Sequence, residues 1–306
     1  MGYGVLCAGE LLVDMISEAY DGRLTSRSSF RPVPGGSPAN LATNLHHLGV
    51  EVRVVAAVGA GRFGRFLREH LGNTGITDQY IRIDAHKPST IITVTRSKQN
   101  PDFDVFRGAD EFIHWSQLSA ALSTPAKIFH TTCFALSGVP ARVHLLRAAR
   151  EFALGGGRLS IDANYSEKLW PNRKLAQQTV HDYVAQGALV KMSDDDWKRL
   201  YQEQLTPENC PDKGRKFLEL GAHQVCFTFG GDAAVLVTSD EVFQLTPKPV
   251  NVVDTTGAGD SFWAGFLAAY LDGCSGKDCL ATGAAVAAVK LQQVGPLRAP
   301  VDWRTL

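Results

Sequence analysis

Six short runs rich in apolar and β-branched residues recur along the 306-residue chain: GVLCAG (4–9), EVRVVAAVG (51–59), AKIFHTT (126–132), GRLSIDA (157–163), GALVKMS (187–193) and HQVCFTF (223–229). Between them lie stretches of helical periodicity, at Pro38 to Leu48, Arg62 to Leu71, Pro140 to Phe152, Arg173 to Val184 and Asp212 to Leu220. This alternation leaves few folds open, because strands joined through helices run parallel and bury both faces. It predicts an α/β fold, a mainly parallel central sheet with helices on both sides. Ligands in such folds bind beyond the carboxyl ends of the strands.

Two regions, about 11–34 and 85–107, break the alternation and carry short extended pieces such as TIITVTR and FDVFR. They are expected to pair into a small sheet that forms a lid; the plain alternative is two surface loops. No linker, repeat or low-complexity segment divides residues 1–306, so a single domain is expected. Lys+Arg and Asp+Glu both total 31, which argues against a nucleic-acid footprint. The N-terminus lacks a basic region and meets Glu10 early, unlike a signal peptide, and no run of ~18 apolar residues predicts a membrane span. The six cysteines form no C-x-x-C, and Cys7, Cys133 and Cys226 sit in apolar runs. A cytoplasmic, reduced enzyme is the expectation. His46 and His47 are adjacent and cannot share a helix face, so no zinc site is read.

In DTTGAGDSF (254–262) two glycines precede a helix that is apolar almost all round. Gly257 and Gly259 free the backbone, so the turn presents N–H groups at a helix N-terminus, where an anion is favoured. Asp260 falls in the first helical turn, where the dipole keeps it ionised and able to accept a proton. An anion cradle beside an acceptor carboxylate suits phosphoryl transfer to an alcohol. The plain alternative is a capping aspartate with no ligand. A P-loop is excluded, because no lysine follows the glycines.

PVPGGSPANLATNLHHLGV (32–50) is a second such stretch. Gly35 and Gly36 form a turn, Ser37 is placed to cap and Pro38 to begin a helix, and Asn40 falls in its first turn. A well-capped helix with a solvated Asn40 explains Ser37 and Pro38 but not two adjacent glycines. Gly59, Gly61 and Gly64 form a G-x-G-x-x-G, with Asp78 downstream, which gives an NAD(P)-binding oxidoreductase as a rival. Against it, Asp78 precedes the run YIRI instead of ending it, and a helix packed on a strand needs glycines anyway.

From Gly9 to about Gly295 the chain resembles the PfkB, or ribokinase-like, family of carbohydrate and nucleoside kinases. DTTGAGDSF resembles its C-terminal signature and GGSPAN its N-terminal one. The resemblance implies a three-layer sandwich with a β lid, Asp260 as catalytic base, and the N–H groups of Gly257, Ala258 and Gly259 as anion hole. It implies sugar contacts from Gly35, Gly36, Asn40 and Asp14; an acid at a strand end is the other reading of Asp14. On the nucleotide side LSIDANYSEKLWP resembles D-x-N-x-R-x-x-L-W: Asp162, Asn164 and Trp170 match, while Ser166 replaces the arginine and Lys168 stands two residues on. KMSDDDWKRL resembles N-x-x-E, with Ser193 and Asp196 in the key places, implying magnesium placement through water; a serine N-cap followed by acids explains the same run. FTFGGDAAV resembles a T-x-G-x-x-G nucleotide loop, matching at Thr228 and Gly230 but with Ala233 last. GAAVAAVKLQQVG borders the adenine by the same resemblance, and Asp254 and Thr256 fall in a potassium-binding neighbourhood. Residues 59–64 resemble the family's G-x-D-x-F-G element, with Gly61 in place of aspartate.

FRPVPGGSPANLATNLHHLG and FDVFRGAD most resemble fructokinases and 2-keto-3-deoxygluconate kinases. Phe103, Phe106 and Arg107 would then come from the lid, with Arg107 either on a hydroxyl-rich or acidic substrate or solvated. The implied activity is ATP-dependent transfer of the γ-phosphate to a primary sugar hydroxyl, with Mg2+, K+ as a further cofactor, and a homodimer joined through the lids. Fructose ranks first, ahead of 2-keto-3-deoxygluconate, ribose and nucleosides. Ser166, Ser193 and Ala233 also keep open a non-catalytic sugar-binding regulator.

Overall fold

A computed structural model describes residues 3–19, 24–95 and 102–306. The chain opens with β1 (Tyr3–Ala8), β2 (Leu12–Ser17) and β3 (Phe30–Gly35), then α1 (Ser37–His47). Next come β4 (Val52–Gly59), α2 (Arg62–Asn73), β5 (Ile81–Asp84), β6 (Ile91–Thr95), β7 (Asp102–Phe106) and α3 (Trp115–Leu122). Strand and helix then alternate through β8 (Ala126–Thr132), α4 (Ala141–Leu154), β9 (Arg158–Asp162), α5 (Arg173–Val184), β10 (Leu189–Ser193), α6 (Asp194–Tyr201), α7 (Cys210–Glu219) and β11 (Gln224–Phe229). The chain turns back through β12 (Ala233–Val237) and β13 (Val242–Leu245) and closes with α8 (Ala258–Leu271) and α9 (Gly276–Leu291).

The large sheet has the order β13-β12-β11-β10-β9-β8-β1-β4-β5. Strands β11 through β5 in that order run parallel, and β12 and β13 are antiparallel at one edge. Alternate residues of the central strands feed two cores. Leu6, Ala8, Val55 and Phe129 pack with α3 to α7, while Val5, Cys7, Val54 and Ile128 pack with α1, α2, α8 and α9. The sheet is therefore buried on both faces, and its apolar runs lack the alternation of a half-exposed sheet. The antiparallel β12–β13 pair and α3 add to the pattern expected from sequence. No helix among the described residues is long and apolar enough to cross a membrane.

A second sheet, β3-β2-β6-β7, is built from the two regions that broke the alternation. Strands β2 and β6 are parallel and the outer pairs antiparallel. Residues 20–23 and 96–101 of those regions lie outside the described residues.

The G-x-G-x-x-G run joins β4 to α2, and Gly59 and Gly64 in it serve packing. A Cβ on Gly59 would lie 2.5 Å from the Lys87 carbonyl oxygen, and one on Gly64 would lie 1.8 Å from the Gly59 carbonyl oxygen. A Cβ on Gly61 would meet nothing. Asp78 pairs with Arg68 at 2.6 Å, on α2. Gly64→Ala should therefore destabilise the fold by about 1–3 kcal/mol, whereas Gly61→Ala, at the N-cap of α2, should cost no more than about 1 kcal/mol, as urea midpoints will show.

Candidate active site

Helices α1 and α8 lie side by side with both N-termini at one cleft. Asn44 Nδ2 ties them by donating to Ser261 Oγ at 3.0 Å, and its Oδ1 accepts from Leu297 N–H at 2.9 Å. The cleft measures about 460 Å³, within the range of small-molecule sites. The ends of β1, β9 and β10 deliver Glu10, Asp162 and Lys191 to its floor. The small sheet supplies the opposite wall through Leu12, Asp14, Ile92, Val94 and Phe103.

Asp260 sits between the two helices, only 9% exposed. Ser37 Oγ donates to its Oδ1 at 2.6 Å and Asn40 Nδ2 to its Oδ2 at 3.0 Å. Burial pushes its carboxyl above the ordinary range, while Ser37, Asn40 and the charges of Lys191 and Lys290 pull it back. The sequence argument from the helix dipole alone omitted that burial. Ser37 is free for this role because Gly36, not Ser37, is the N-cap of α1. Glu10 Oε1 accepts from the Ser37 N–H at 3.2 Å, so the cap comes from across the site. Gly36 takes φ of +103°, and a Cβ there would lie 2.3 Å from the Glu10 carbonyl oxygen.

The turn before α8 differs from the expected anion hole in one respect. Gly257 takes φ of +75°, and the Ala258 N–H closes onto the Thr255 carbonyl oxygen at 3.1 Å. The free donors are the N–H groups of Gly257, Gly259 and Asp260, which have no hydrogen-bond partner among the described residues. Lys191 stands against them: a Cβ on Gly259 would lie 3.0 Å from its Nζ. Its ammonium is paired with Asp162 at 2.7 Å, and both side chains are buried. Burial alone would lower the Lys191 pKa, but Asp162, Asp196 and Asp260 together hold it above the ordinary lysine value.

Acids dominate the rest of the cleft. Burial lifts Glu10 to about 8, although Thr132 Oγ1 donates to it at 2.8 Å. Burial, with the Asp260 charge, lifts Asp14 to about 7. Asp162 is raised to about 6 by burial despite Lys191. Asp14 needs its glycine neighbour, since a Cβ on Gly35 would lie 2.1 Å from Asp14 Oδ2.

Residues 4–303 match the family described as pfkB family carbohydrate kinase. The chain belongs to that family. It is 35% identical over 96% of its length to the ATP-dependent 6-phosphofructokinase of Thermoanaerobacterium thermosaccharolyticum, covering 90% of that protein. Among solved structures, Halothermothrix orenii fructokinase superposes with a TM-score of 0.80 at 29% identity, over 96% of this chain and 100% of that one. Aminoimidazole riboside kinase from Salmonella enterica, complexed with aminoimidazole riboside and an ATP analogue, gives 0.81 at 26% identity, over 99% of each chain. The chain is thus an ATP-dependent carbohydrate kinase with a ribokinase-like fold, and the oxidoreductase and regulator readings fall away.

In this pfkB kinase the other predicted residues divide. Asn164 lines the cleft in a left-handed conformation, φ of +31°, which asparagine tolerates better than most residues. Ser193 is the N-cap of α6 and forms a capping box with Asp196. The Asp196 oxygens accept from Tyr165 N–H at 3.0 Å and from Ser193 Oγ at 2.6 Å. Among the described residues no group of three or more acidic, histidine or cysteine side chains could hold a metal. Asp162 Oδ1 is buried without a hydrogen-bond partner, and Asp196 faces the same cleft. That sparse donor set fits magnesium arriving with the nucleotide and keeping most of its waters.

Thr228 and Gly230, at the end of β11, are not among the cleft-lining residues, nor is Arg107. The Arg107 guanidinium lies 2.7 Å from Asp110 and stacks over the ring of Phe134, which lines the cleft. Phe106 is exposed, whereas Phe103 lines the cleft. Asp254 does not fit a potassium ligand, because Lys290 already donates to it. Sequence reasoning missed Glu10, Ser37 and Lys191 as parts of the site; Arg199, which also lines the cleft, was missed too. Only the polarity of Glu10 and Lys191 at apolar strand ends signalled them.

Two outcomes follow from these contacts. Ser37→Ala removes a donor to the ionised form of Asp260, so its carboxyl rises further and the acid limb of the kcat/KM profile should move to higher pH. Glu10 keeps a proton when folded that the unfolded chain releases between its ordinary 4.5 and about 8, so stability should fall as pH rises through that window. The urea midpoint of Glu10→Gln should vary less with pH there than that of wild type.

Proposed function

We propose that this kinase phosphorylates a primary hydroxyl of fructose, using ATP. The observation that carries the reading is Asp260, buried at the meeting of two helix N-termini with free N–H donors beside it. The sugar lies between Asp14, Asn40 and the small sheet, with its primary hydroxyl on Asp260. The hydroxyl oxygen bonds to the γ-phosphorus as the bond from phosphorus to the β,γ-bridging oxygen breaks. ADP leaves, and Asp260 receives the hydroxyl proton late. The N–H groups of Gly257 and Gly259, with the Lys191 ammonium, face the charge on the transferring group. Asp162 and Asp196 would hold nucleotide-borne magnesium through water, and the ion supplies neutralisation of phosphate charge. Closure of the small sheet excludes water, a competing acceptor. The exposed Phe106 on that sheet supports a contact between two copies.

The small-sheet wall of the cleft, Leu12, Asp14, Ile92, Val94 and Phe103, offers no basic side chain to a second phosphate among the described residues, which favours an uncharged sugar. A second reading, fructose 6-phosphate, is favoured by the relative named for that activity. Coupled ADP release should be compared for fructose, fructose 6-phosphate, 2-keto-3-deoxygluconate, ribose and a nucleoside. The highest kcat/KM is expected with fructose, and a clear preference for any other acceptor rejects it. Asp260→Asn should lower kcat by about 10²–10⁴, and near wild-type turnover would remove Asp260 as base.

A further inference from the structure

Asp254 opens the turn that carries the anion-facing N–H groups, and its oxygens are already engaged. Lys290, in the last turn of α9, is fully buried. Its ammonium donates to the Asp254 carbonyl oxygen at 2.7 Å and to Asp254 Oδ2 at 3.3 Å. Backbone donors take the rest of the carboxylate: Thr256 N–H reaches Oδ1 at 3.0 Å and Gly295 N–H reaches Oδ2 at 3.1 Å. The N–H of Val253 donates to the Leu291 carbonyl oxygen at 2.8 Å, fixing the strand of residues before the turn against the end of α9.

A carbonyl oxygen and a carboxylate oxygen converging on one buried point form a donor set for a monovalent cation. Here a primary ammonium stands at that point, carried by the chain. A second unit charge about 4 Å from it, at an effective dielectric near 20, would lose roughly a thousandfold in affinity. Residues Asp254 and Thr256 therefore do not fit a dissociable potassium ion.

We propose that Lys290 is a tethered monovalent cation beneath the phosphate turn, so that phosphoryl transfer by this kinase is independent of alkali ions. The inference rests on the phosphate-turn reading above. An uncompensated Asp254 carboxylate behind the turn would oppose the charge that its N–H groups must stabilise. The ammonium cancels that charge and fixes the Asp254 carbonyl, so the peptides that follow keep their N–H groups toward the cleft. Its field also reaches Asp260, where it lowers the carboxyl pKa against burial. Lys290 touches no substrate, and it acts as a positioning residue.

The test measures turnover in tetramethylammonium buffer, alone and with K+, Rb+, NH4+, Na+ or Li+. Wild type should vary by no more than about twofold across these salts, and Lys290→Met should lose about 10²-fold in the absence of small cations. The methionine keeps the aliphatic packing and leaves the donor set empty. K+ or NH4+ should then restore the variant at least about tenfold while Li+ does not, a size dependence that a merely structural role would not produce. Thallium-205 NMR supplies a readout apart from activity: bound Tl+, displaced by K+, is expected in Lys290→Met and not in wild type. Circular dichroism reports whether the variant is folded; if it is not, the wild-type salt series and Tl+ spectrum decide. Strong activation of wild type by K+, bound Tl+ in wild type at this site, or a folded Lys290→Met that no cation restores would each overturn the proposal. Wild type silent with every sugar in every salt would instead defeat the phosphate-turn reading, and the Tl+ spectra would still decide the cation question.

Discussion

The burial of the Asp260 carboxylate is the constraint from which the rest of the structure follows. A carboxylate removed from water is costly unless donors replace the lost solvent. Ser37 and Asn40 supply those donors, so α1 and α8 must meet N-terminus to N-terminus. That meeting requires the Gly36 backbone to pass over Glu10, which in turn caps α1. It also requires α9 to close tightly on α8. A Cβ on Gly265 would lie 2.8 Å from the Thr282 carbonyl oxygen, and one on Gly283 would lie 2.8 Å from that of Phe262. This close contact sets the end of α9, and hence Lys290, against the turn before α8.

The cleft holds more acid than its folded state prefers. Glu10, Asp14, Asp162 and Asp260 all have carboxyls pushed upward chiefly by burial. Such an arrangement lowers the stability of the empty protein and suits a site that receives a hydroxyl-bearing sugar and ATP. Lys191 shows the balance in one side chain. Desolvation works against its charge, yet the surrounding carboxylates win, and the ammonium stays beside the turn before α8. Replacing a carboxylate partner would therefore disturb Lys191 as well as the acid removed.

Much of the architecture was legible because burial on both faces leaves a period in the residues. The apolar runs from β1 to β11 read as strands, and the two regions without helical pattern did form the small sheet. The motifs at 35–40 and 254–260 were legible because glycine, proline and aspartate at those spacings have few local explanations. What escaped was long-range. Nothing near Ser37 shows that Glu10 will take over its capping role, releasing the hydroxyl to a residue 223 positions away. Gly59 and Gly64 mimic a dinucleotide fingerprint because close helix–strand packing makes the same demand on the backbone. Lys290 drew no reading of its own in the sequence, since its partner belongs to another element.

The nucleotide side shows how a departure from a family pattern is absorbed. Ser166 stands where the pattern has arginine, and Lys168 is not its replacement. The Lys168 ammonium bonds to the Phe103 carbonyl oxygen and lies 4.9 Å from the centre of the Phe103 ring. It thereby joins the loop after β9 to the small sheet at the one phenylalanine of that sheet that lines the cleft. Among the described residues the cations that line the cleft are Lys191 and Arg199. If the turn before α8 meets phosphate as proposed, the absence of an arginine at position 166 puts more weight on the cations of the opposite wall, Lys191 in the cleft and Lys290 behind the turn.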